Sequence, residues 1–457
     1  MDWQLEAEKR KDHMLKELQQ LMAIPSVLSE ETTPDAPFGK DVKRALDWFL
    51  EKGTANGFDV KNVDHVAGHL EFGQGDELLG ILGHVDVVPP GAGWTKDPFG
   101  GAIEDGKLYG RGAIDDKGPT IAAWTALNLV KDAGFEFSKR VRLIIGTDEE
   151  SGFRCVERYF EKEEMPTIAF APDADFPIIN AEKGIAGLVF SKSEWSQADA
   201  LVSFKSGERT NMVPDLAEAT VAGEFTAWQE RFNKFCSEQQ VSGSAVESEE
   251  NTTLTLHGKS AHAMEPDHGI NAGILLALFL KDHLSGDGKQ FVEFIAVHFH
   301  NDSRGRKLGL DFADEISGDT TFNPGVIRFE KGKKATISIS MRYSVSYPFK
   351  EKMTDFETEG FLLEIASDSP PHHVDENDPF IQTLQTVYEK QTGQKADLLA
   401  IGGGTYARVL KKGVAFGMLF PGEKDVAHQL DEFVDIDNLL KATAIYAETI
   451  YQLACKK

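Results

Sequence analysis

LLGILGHVDVV, at residues 78–88, is the stretch from which the fold of this 457-residue chain can be read. It is short, apolar and rich in aliphatic and β-branched side chains, as a strand buried on both faces of a sheet should be. Residues 117–133 follow with Ile121, Trp124, Leu127 and Val130 at helical spacing, and Gly134 is placed to end that helix. VRLIIGT at 141–147 is a second buried strand, and residues 167–172 form a third. Strand, helix, strand, helix, strand predicts an α/β fold, with a mixed or parallel sheet and helices on its faces.

The texture changes after Gly184. Over 336–347 the residues alternate strictly, with Ile337, Ile339, Met341, Tyr343 and Val345 on one face and Ser338, Ser340, Arg342 and Ser344 on the other. That alternation predicts a half-solvated antiparallel strand. Residues 271–284 read as a helix packed on such a sheet, while His298 and His300, two apart, read as sharing one face of a strand. Pro370-Pro371 breaks the pattern. Asp378-Pro379 then offers an N-cap and a first helical residue for a helix running towards Gly393. A discontinuous α/β domain is therefore expected at 1–184 and 374–457. An α+β domain at 185–373 interrupts it and is large enough to fold as two subdomains.

Composition narrows the function. Lys plus Arg number 48 and Asp plus Glu 74, a net charge of −26, which repels phosphate backbones and anionic lipid. Neither nucleic acid nor a membrane surface is expected as a partner, and the surplus carboxylates suit hard cations. Cys155, Cys236 and Cys455 are odd in number and lack CxxC spacing, which fits a reducing compartment. Leu5, Met14, Leu15, Leu18 and Leu21 read as an amphipathic helix rather than a signal peptide, and a cytoplasmic location is expected.

Four short stretches concentrate the chemistry. Gly83-His84-Val85-Asp86 closes the first strand. The two-residue period sets His84 and Asp86 on one face, where a carboxylate can fix the second nitrogen of a metal-binding imidazole. Tyr109-Gly-Arg-Gly-Ala-Ile-Asp115-Asp116-Lys117-Gly118 is a glycine-rich loop entering a helix. Gly146-Thr-Asp-Glu149-Glu150-Ser-Gly152 leaves the second strand, and three consecutive acids there are costly to cluster unless a cation neutralises them. Ala171-Pro-Asp173-Ala174-Asp175 leaves the third. Each has an ordinary alternative: a core histidine, a helix cap, a surface turn. All four nevertheless fall at the carboxyl ends of expected strands or just after them, where open α/β sheets place their sites. The cluster reads as metal.

These blocks, GHVDVVPPG, LYGRGAIDDKGP, GTDEESG and APDADFPII, resemble signature blocks of the M20 metallopeptidases. Within that family the likeness is to PepV-like bacterial dipeptidases, over nearly the whole chain. The resemblance implies a zinc-peptidase-type catalytic domain carrying an inserted lid domain and two divalent metal ions. It implies His84 and Asp173 on one ion, Glu150 and His428 (in FPGEKDVAHQLDE) on the other, and Asp115 bridging them, with a cis peptide after Asp115. Asp86 would orient His84, and Glu149 would be the general base. His262, in HGKSAHAMEP, would stabilise the oxyanion, and Asn211, in ERTNMVP, would contact substrate. Arg342 offers a bidentate partner for a substrate carboxylate. Gly403 and Gly404, in a run of three glycines before Thr405, offer closely spaced N–H groups for the same purpose. Ordinary turn or sheet-face roles compete at each of these four places. His298, His300, His372 and His373 read as surface features. Ligands without thiolate favour Zn²⁺, Mn²⁺ or Co²⁺ over copper, and zinc is placed first.

The expected function is two-metal hydrolysis of dipeptides with a free C-terminal carboxylate. An N-acyl amino acid deacylase of the same family, and a catalytically silent metal- or peptide-binding protein, are the alternatives. A monomer is expected.

Overall fold

The computed structural model describes every residue except 194–199, 249–250, 355, 357, 359 and 457. The chain divides into two compact units. One comprises Met1–Ala181, His373–Leu399 and Gly404–Lys457, and the other Glu182–His372 and Ala400–Gly403.

In the first unit, β1 (Asp59–Val63), β2 (Ala67–Gly73), β3 (Leu78–His84), β4 (Arg140–Gly146) and β5 (Ile168–Ala171) lie in the order β1-β2-β4-β3-β5, followed by the strand Gly413–Ala415. From β4 through β3 and β5 to Gly413–Ala415 the pairing is parallel, whereas β1 and β2 add an antiparallel edge. Every residue of β3 is buried, which is why its sequence is continuously apolar instead of alternating. The helices α1 (Trp3–Met22), α2 (Lys40–Ala55) and α3 (Lys117–Asp132) share one apolar core with the sheet and with the C-terminal helices Pro379–Thr392 and Ile436–Ala454. A short helix, α4 (Arg154–Lys162), follows β4 and packs into a smaller cluster with Tyr406.

Local signals account for the ends of these elements. Gly134 follows α3 at φ +73°, a left-handed conformation that costs glycine least. Asp378 accepts a hydrogen bond from the Phe380 N–H at 2.8 Å and opens the Pro379–Thr392 helix, which Gly393 closes at φ +69°. Helix α1 buries Met14, Leu15, Leu18 and Leu21 as its periodicity predicts, but Leu5 faces solvent.

The second unit is built on β6 (Gly184–Lys192), β7 (Leu201–Ser206), β8 (Leu216–Ala222), β9 (Ser242–Ser248), β10 (Asn251–His257), β11 (Thr321–Glu330), β12 (Ala335–Tyr343) and β13 (Leu362–Ser369). They form one sheet, β9-β10-β8-β7-β11-β12-β6-β13, in which every neighbouring pair is antiparallel. Helices α5 (Phe225–Gln239), α6 (Ala272–Leu280) and α7 (Gly286–Phe299) contribute to its core.

Two expectations are corrected here. His298 lies in α7 and His300 caps that helix, so the two do not share a strand face. Phe291, Val292, Phe294, Ile295 and Phe299 are the buried residues that hold the helix down, and their three-to-four spacing outweighs a strand-like composition. The polar face of β12 is also less solvated than its alternation suggests, because Ser340 and Arg342 are each only 5% exposed.

Candidate metal centre

Three parallel strands end together, and the first unit's charged side chains gather at those ends. His84, the last residue of β3, is fully buried. Its Nδ1 lies 3.0 Å from the main-chain oxygen of Asp86 and 3.3 Å from Asp86 Oδ1. The nearer partner is thus the carbonyl rather than the carboxylate that the spacing pointed to. Asp86 Oδ2 accepts the Glu150 N–H at 3.1 Å, so one aspartate orients His84 and also ties down the loop after β4.

With Nδ1 engaged, His84 Nε2 is aimed at two carboxylates: Asp115 Oδ1 at 3.1 Å and Asp173 Oδ2 at 3.5 Å. The other oxygen of Asp115 lies 2.9 Å from His428 Nε2, which in turn is 3.1 Å from Glu150 Oε2. Asp115 therefore presents one oxygen to each imidazole. Two sets result, His84 with Glu149 and Asp173, and Asp115 with Glu150 and His428. Within each set the ligand atoms lie within 4.8 Å of one another. The Asp115–Asp116 peptide is cis. Asp116 turns the other way: its Oδ2 accepts the His84 N–H at 2.9 Å and the Thr120 hydroxyl at 2.8 Å, joining the end of β3 to the first turn of α3.

Only two of the three consecutive acids after β4 belong to this cluster. Asp148 is taken up by Arg154, whose Nε and Nη2 donate to it at 2.7 and 2.6 Å, and by the Arg154 N–H that opens α4. A run of like charges shows that neutralisation is needed but not where each carboxylate turns.

Charge is poorly balanced in the cluster. Burial pushes the Glu149, Glu150 and Asp173 carboxyls up, with repulsion from neighbouring acids adding to the effect in each. Burial opposes the charge on Asp115 too, but hydrogen bonds from His428 and His84 outweigh it and hold that carboxyl low. Hydrogen bonds to Asp115 and Glu150 raise His428 to about 11. In His84, burial is overcome by bonds to Asp115, Asp173 and Asp86, and its pKa is also raised. The cationic side chains of the neighbouring loop are committed elsewhere. Lys117 Nζ donates to the carbonyls of Ile24 at 2.7 Å and Leu21 at 3.2 Å, and Arg111 pairs with Glu432. Imidazole and carboxylate donors converge with a surplus of negative charge, and such a set fits divalent cations of the zinc, manganese and cobalt type.

Several residues around the centre carry no local signal in the sequence. Tyr406 packs edge-on against His84 with ring centroids 6.0 Å apart, and its hydroxyl lies 3.0 Å from Cys155 Sγ. Arg111 and Glu432 form a buried ion pair beside Asp115. These partners lie hundreds of positions apart, so no spacing rule reaches them.

In the second unit, Asn211 and His262 stand on neighbouring segments. Met212 and His262 form an antiparallel bridge, and the Ala263 N–H donates to the Asn211 carbonyl at 2.9 Å. Asn323 Nδ2 donates to the carbonyls of both Thr210 and Met212 at 2.8 Å, bracketing Asn211. His262 Nδ1 accepts the Met264 N–H at 3.2 Å, which puts the proton of the neutral ring on Nε2, where it can be donated. Partial burial and the charge of Arg342 lower the His262 pKa, favouring that neutral donor. Arg342 faces Thr321 across the β11–β12 pair. Gly403 ends the second unit and Gly404 begins the last segment of the first.

Two imidazoles and four carboxylates converge beside the carboxyl ends of the parallel strands, a donor set of the kind found in metal-dependent hydrolases. The pattern of the peptidase family M20/M25/M40 matches residues 80–452, and the chain belongs to that family of peptide-bond hydrolases. It is 50% identical over 462 residues to YtjP of Bacillus subtilis (strain 168), which carries a provisional dipeptidase name; 99% of this chain and 100% of that protein are covered. It is 41% identical over 468 residues to SAR1836 of Staphylococcus aureus (strain MRSA252), named in the same provisional way, with 100% of both covered. Among solved structures, human carnosine dipeptidase 1 superposes with a TM-score of 0.57 at 15% identity, over 98% of this chain and 97% of that one. The aminoacylhistidine dipeptidase of Vibrio alginolyticus gives 0.57 at 14% identity over 97% of both. These two share the fold. Among the described residues, no helix is long and apolar enough to cross a membrane.

Proposed function

We propose that the chain is a two-metal-dependent dipeptidase that hydrolyses the peptide bond of dipeptides bearing a free C-terminal carboxylate. The observation that carries this reading is Asp115, whose two oxygens lie 3.1 Å from His84 and 2.9 Å from His428. The provisional dipeptidase name of YtjP, at 50% identity over its whole length, supports the substrate class.

His84 and Asp173 would hold one ion and Glu150 and His428 the other, with Asp115 shared. A pair of divalent ions so held lowers the pKa of a bound water and polarises a scissile carbonyl. Glu149 takes the proton from the attacking water and returns it to the departing amine. Asp86 keeps the His84 ring turned towards the acids. Substrate recognition is assigned to the second unit: Arg342 for the terminal carboxylate, His262 Nε2–H for the developing oxyanion, and Asn211 as a further contact. The main-chain N–H groups of Gly403 and Gly404 are a second place for the carboxylate. Zinc is the proposed metal, with manganese and cobalt as substitutes.

The test is a metal-stripped sample reconstituted with zinc, manganese or cobalt and assayed on dipeptides and on N-acetyl and N-succinyl amino acids. Cleavage of the acyl amino acids with no action on dipeptides would select the deacylase instead. Glu149→Ala should retain its metals and lose turnover by ~10²–10⁴-fold, the range for a removed general base; full activity would take Glu149 out of the mechanism. We also place the protein in the cytoplasm, on its three buried free cysteines, and as a monomer, on an inserted domain large enough to close over its own site as a doubled lid. Light scattering giving twice 50.4 kDa would overturn the monomer.

A further inference from the structure

Beside the acids and imidazoles lies a pair of charged residues that the reaction does not consume. Arg111 and Glu432 are 2% and 0% exposed, and they are joined by an ion pair across most of the chain's length. Glu432 Oε1 accepts three main-chain N–H groups, those of Gly112 and Ile114 at 3.0 Å and of Asp115 at 3.4 Å. Its own carbonyl accepts the Gly110 N–H at 2.8 Å. Glu432 Oε2 takes Arg111 Nη1, while Arg111 Nη2 donates to the carbonyl of His428 at 3.3 Å. The guanidinium also stacks over Trp94, 5.2 Å from the ring centroid.

A buried ion pair is a weak source of net stability, since desolvation offsets most of the attraction. What it provides is direction. Arg111 and Glu432 bond to the main chain of both loops at issue, the one that carries Asp115 and the one that carries His428. The His428 backbone sits at φ +61°, a left-handed conformation that L side chains rarely adopt, and its carbonyl is the atom that Arg111 holds. Local bonds close the same turn, from the Gln429 N–H to the Val426 carbonyl at 3.1 Å and from the Ala427 N–H to Asp425 Oδ1 at 2.9 Å, and Arg111 ties it to the loop that carries Asp115.

We propose that Arg111 and Glu432 are positioning residues which fix the distance between Asp115 and His428, and so set the affinity of the ion that those two side chains share. The proposal rests on the reading of Asp115 and His428 as metal ligands. Outer partners of metal ligands are typically worth about 10–100-fold in metal affinity.

The experiment titrates zinc into the stripped full-length chain against a competing chelator, with the wild type, Glu432→Gln and Arg111→Lys compared, and peptidase activity read in parallel. Glu432→Gln removes the charge that gathers the three N–H groups. Arg111→Lys keeps a cation opposite Glu432 but has no planar fork to reach the His428 carbonyl at the same time. Both variants should weaken the binding event that involves His428 about 10–100-fold, and the other, which shares only Asp115 with it, by distinctly less. The absorption bands of the cobalt-loaded protein should change with them. If Glu432→Gln does not fold, Arg111→Lys decides alone. Wild-type binding of both ions by Arg111→Lys, or equal weakening of both ions, would overturn the proposal while leaving the dipeptidase reading intact. Two wild-type zinc sites with the expected loss in the variants, but no dipeptide cleavage, would sink the reading and keep the clamp. A wild type that binds no zinc would remove both.

Discussion

Loading metal into this centre must expel protons, and their number follows from the geometry. Hydrogen bonds to Asp115 and Glu150 raise His428 to about 11, so at pH 7 the stripped protein holds that imidazole in its protonated form. His84 is also raised, by Asp115, Asp173 and Asp86 acting against burial. Both rings must be neutral to bind an ion. Two imidazolium protons should therefore leave each chain on filling, joined by whatever Glu150, Asp173 and Glu149 hold, since burial raises all three. Asp115, held low by its two histidines, contributes none. The sign is fixed: affinity rises with pH, and the overall constant for two ions should climb about 100-fold per pH unit near neutrality from the imidazoles alone. Isothermal titration in buffers of different ionisation enthalpy counts the protons at one pH, and chelator competition from pH 6 to 8 gives the slope. In His428→Ala one imidazolium proton is lost from that count, offset in part because Asp115 and Glu150 lose the hydrogen bond that holds them down. Release of less than one proton per chain at pH 7 in the wild type would refute the reasoning.

Three further outcomes follow from single side chains. His69 is buried with its Nδ1 2.7 Å from the Tyr159 hydroxyl, and burial together with the Arg142 charge lowers it to about 3. The unfolded chain binds a proton there below about pH 6.5 that the fold refuses, so stability is complete above that pH and falls towards pH 3, by about 2 kcal/mol at pH 5. The gap in denaturant stability between wild type and His69→Gln should shrink by that amount from pH 7.5 to 5; a constant gap would count against it. Asn323→Ala removes the two bonds that bracket Asn211 and should lower kcat/KM about 10–100-fold with zinc content unchanged, whereas kinetics equal to wild type would detach Asn211 from substrate. At Gly83 an added Cβ would lie 2.1 Å from Thr120 Oγ1 and 3.0 Å from Asp116 Oδ2, so Gly83→Ala should cost about 1–3 kcal/mol in thermal unfolding, and an unshifted midpoint would contradict that crowding.

The parts legible beforehand were those set by neighbours in sequence. β3 declares itself because both of its faces are covered, and the helix after Asp378 because a cap, a proline and a terminal glycine are all local devices. The gathering of His84, Glu150 and Asp173 was also within reach, since each ends or follows a strand of the parallel set and parallel strands end on one side; Asp115 follows a strand of a separate antiparallel sheet, and that argument does not place it. α7 was not legible as a helix, because Phe291, Val292, Phe294 and Ile295 combine β-forming types with helical spacing and only packing decides between them. Arg342 illustrates a further limit: alternation tells which residues share a face of β12 but not what covers that face.

The clearest divide runs between the acids that reach the centre and those that do not. Asp148, Glu149 and Glu150 are consecutive, as are Asp115 and Asp116, and within each group the chemistry of the side chains is nearly identical. What separates them is the main chain's need for partners. Asp148 is drawn away by Arg154 and the first N–H of α4, and Asp116 by the His84 N–H and Thr120, both obligatory bonds at the ends of elements. Asp115, Glu149 and Glu150 are left facing one another with two imidazoles, where burial raises both glutamates. The centre is thus made of carboxylates that the ends of β3, β4, α3 and α4 do not use. A substitution that freed Asp148 or Asp116 from its structural partner would add a further negative charge beside the site rather than a better ligand.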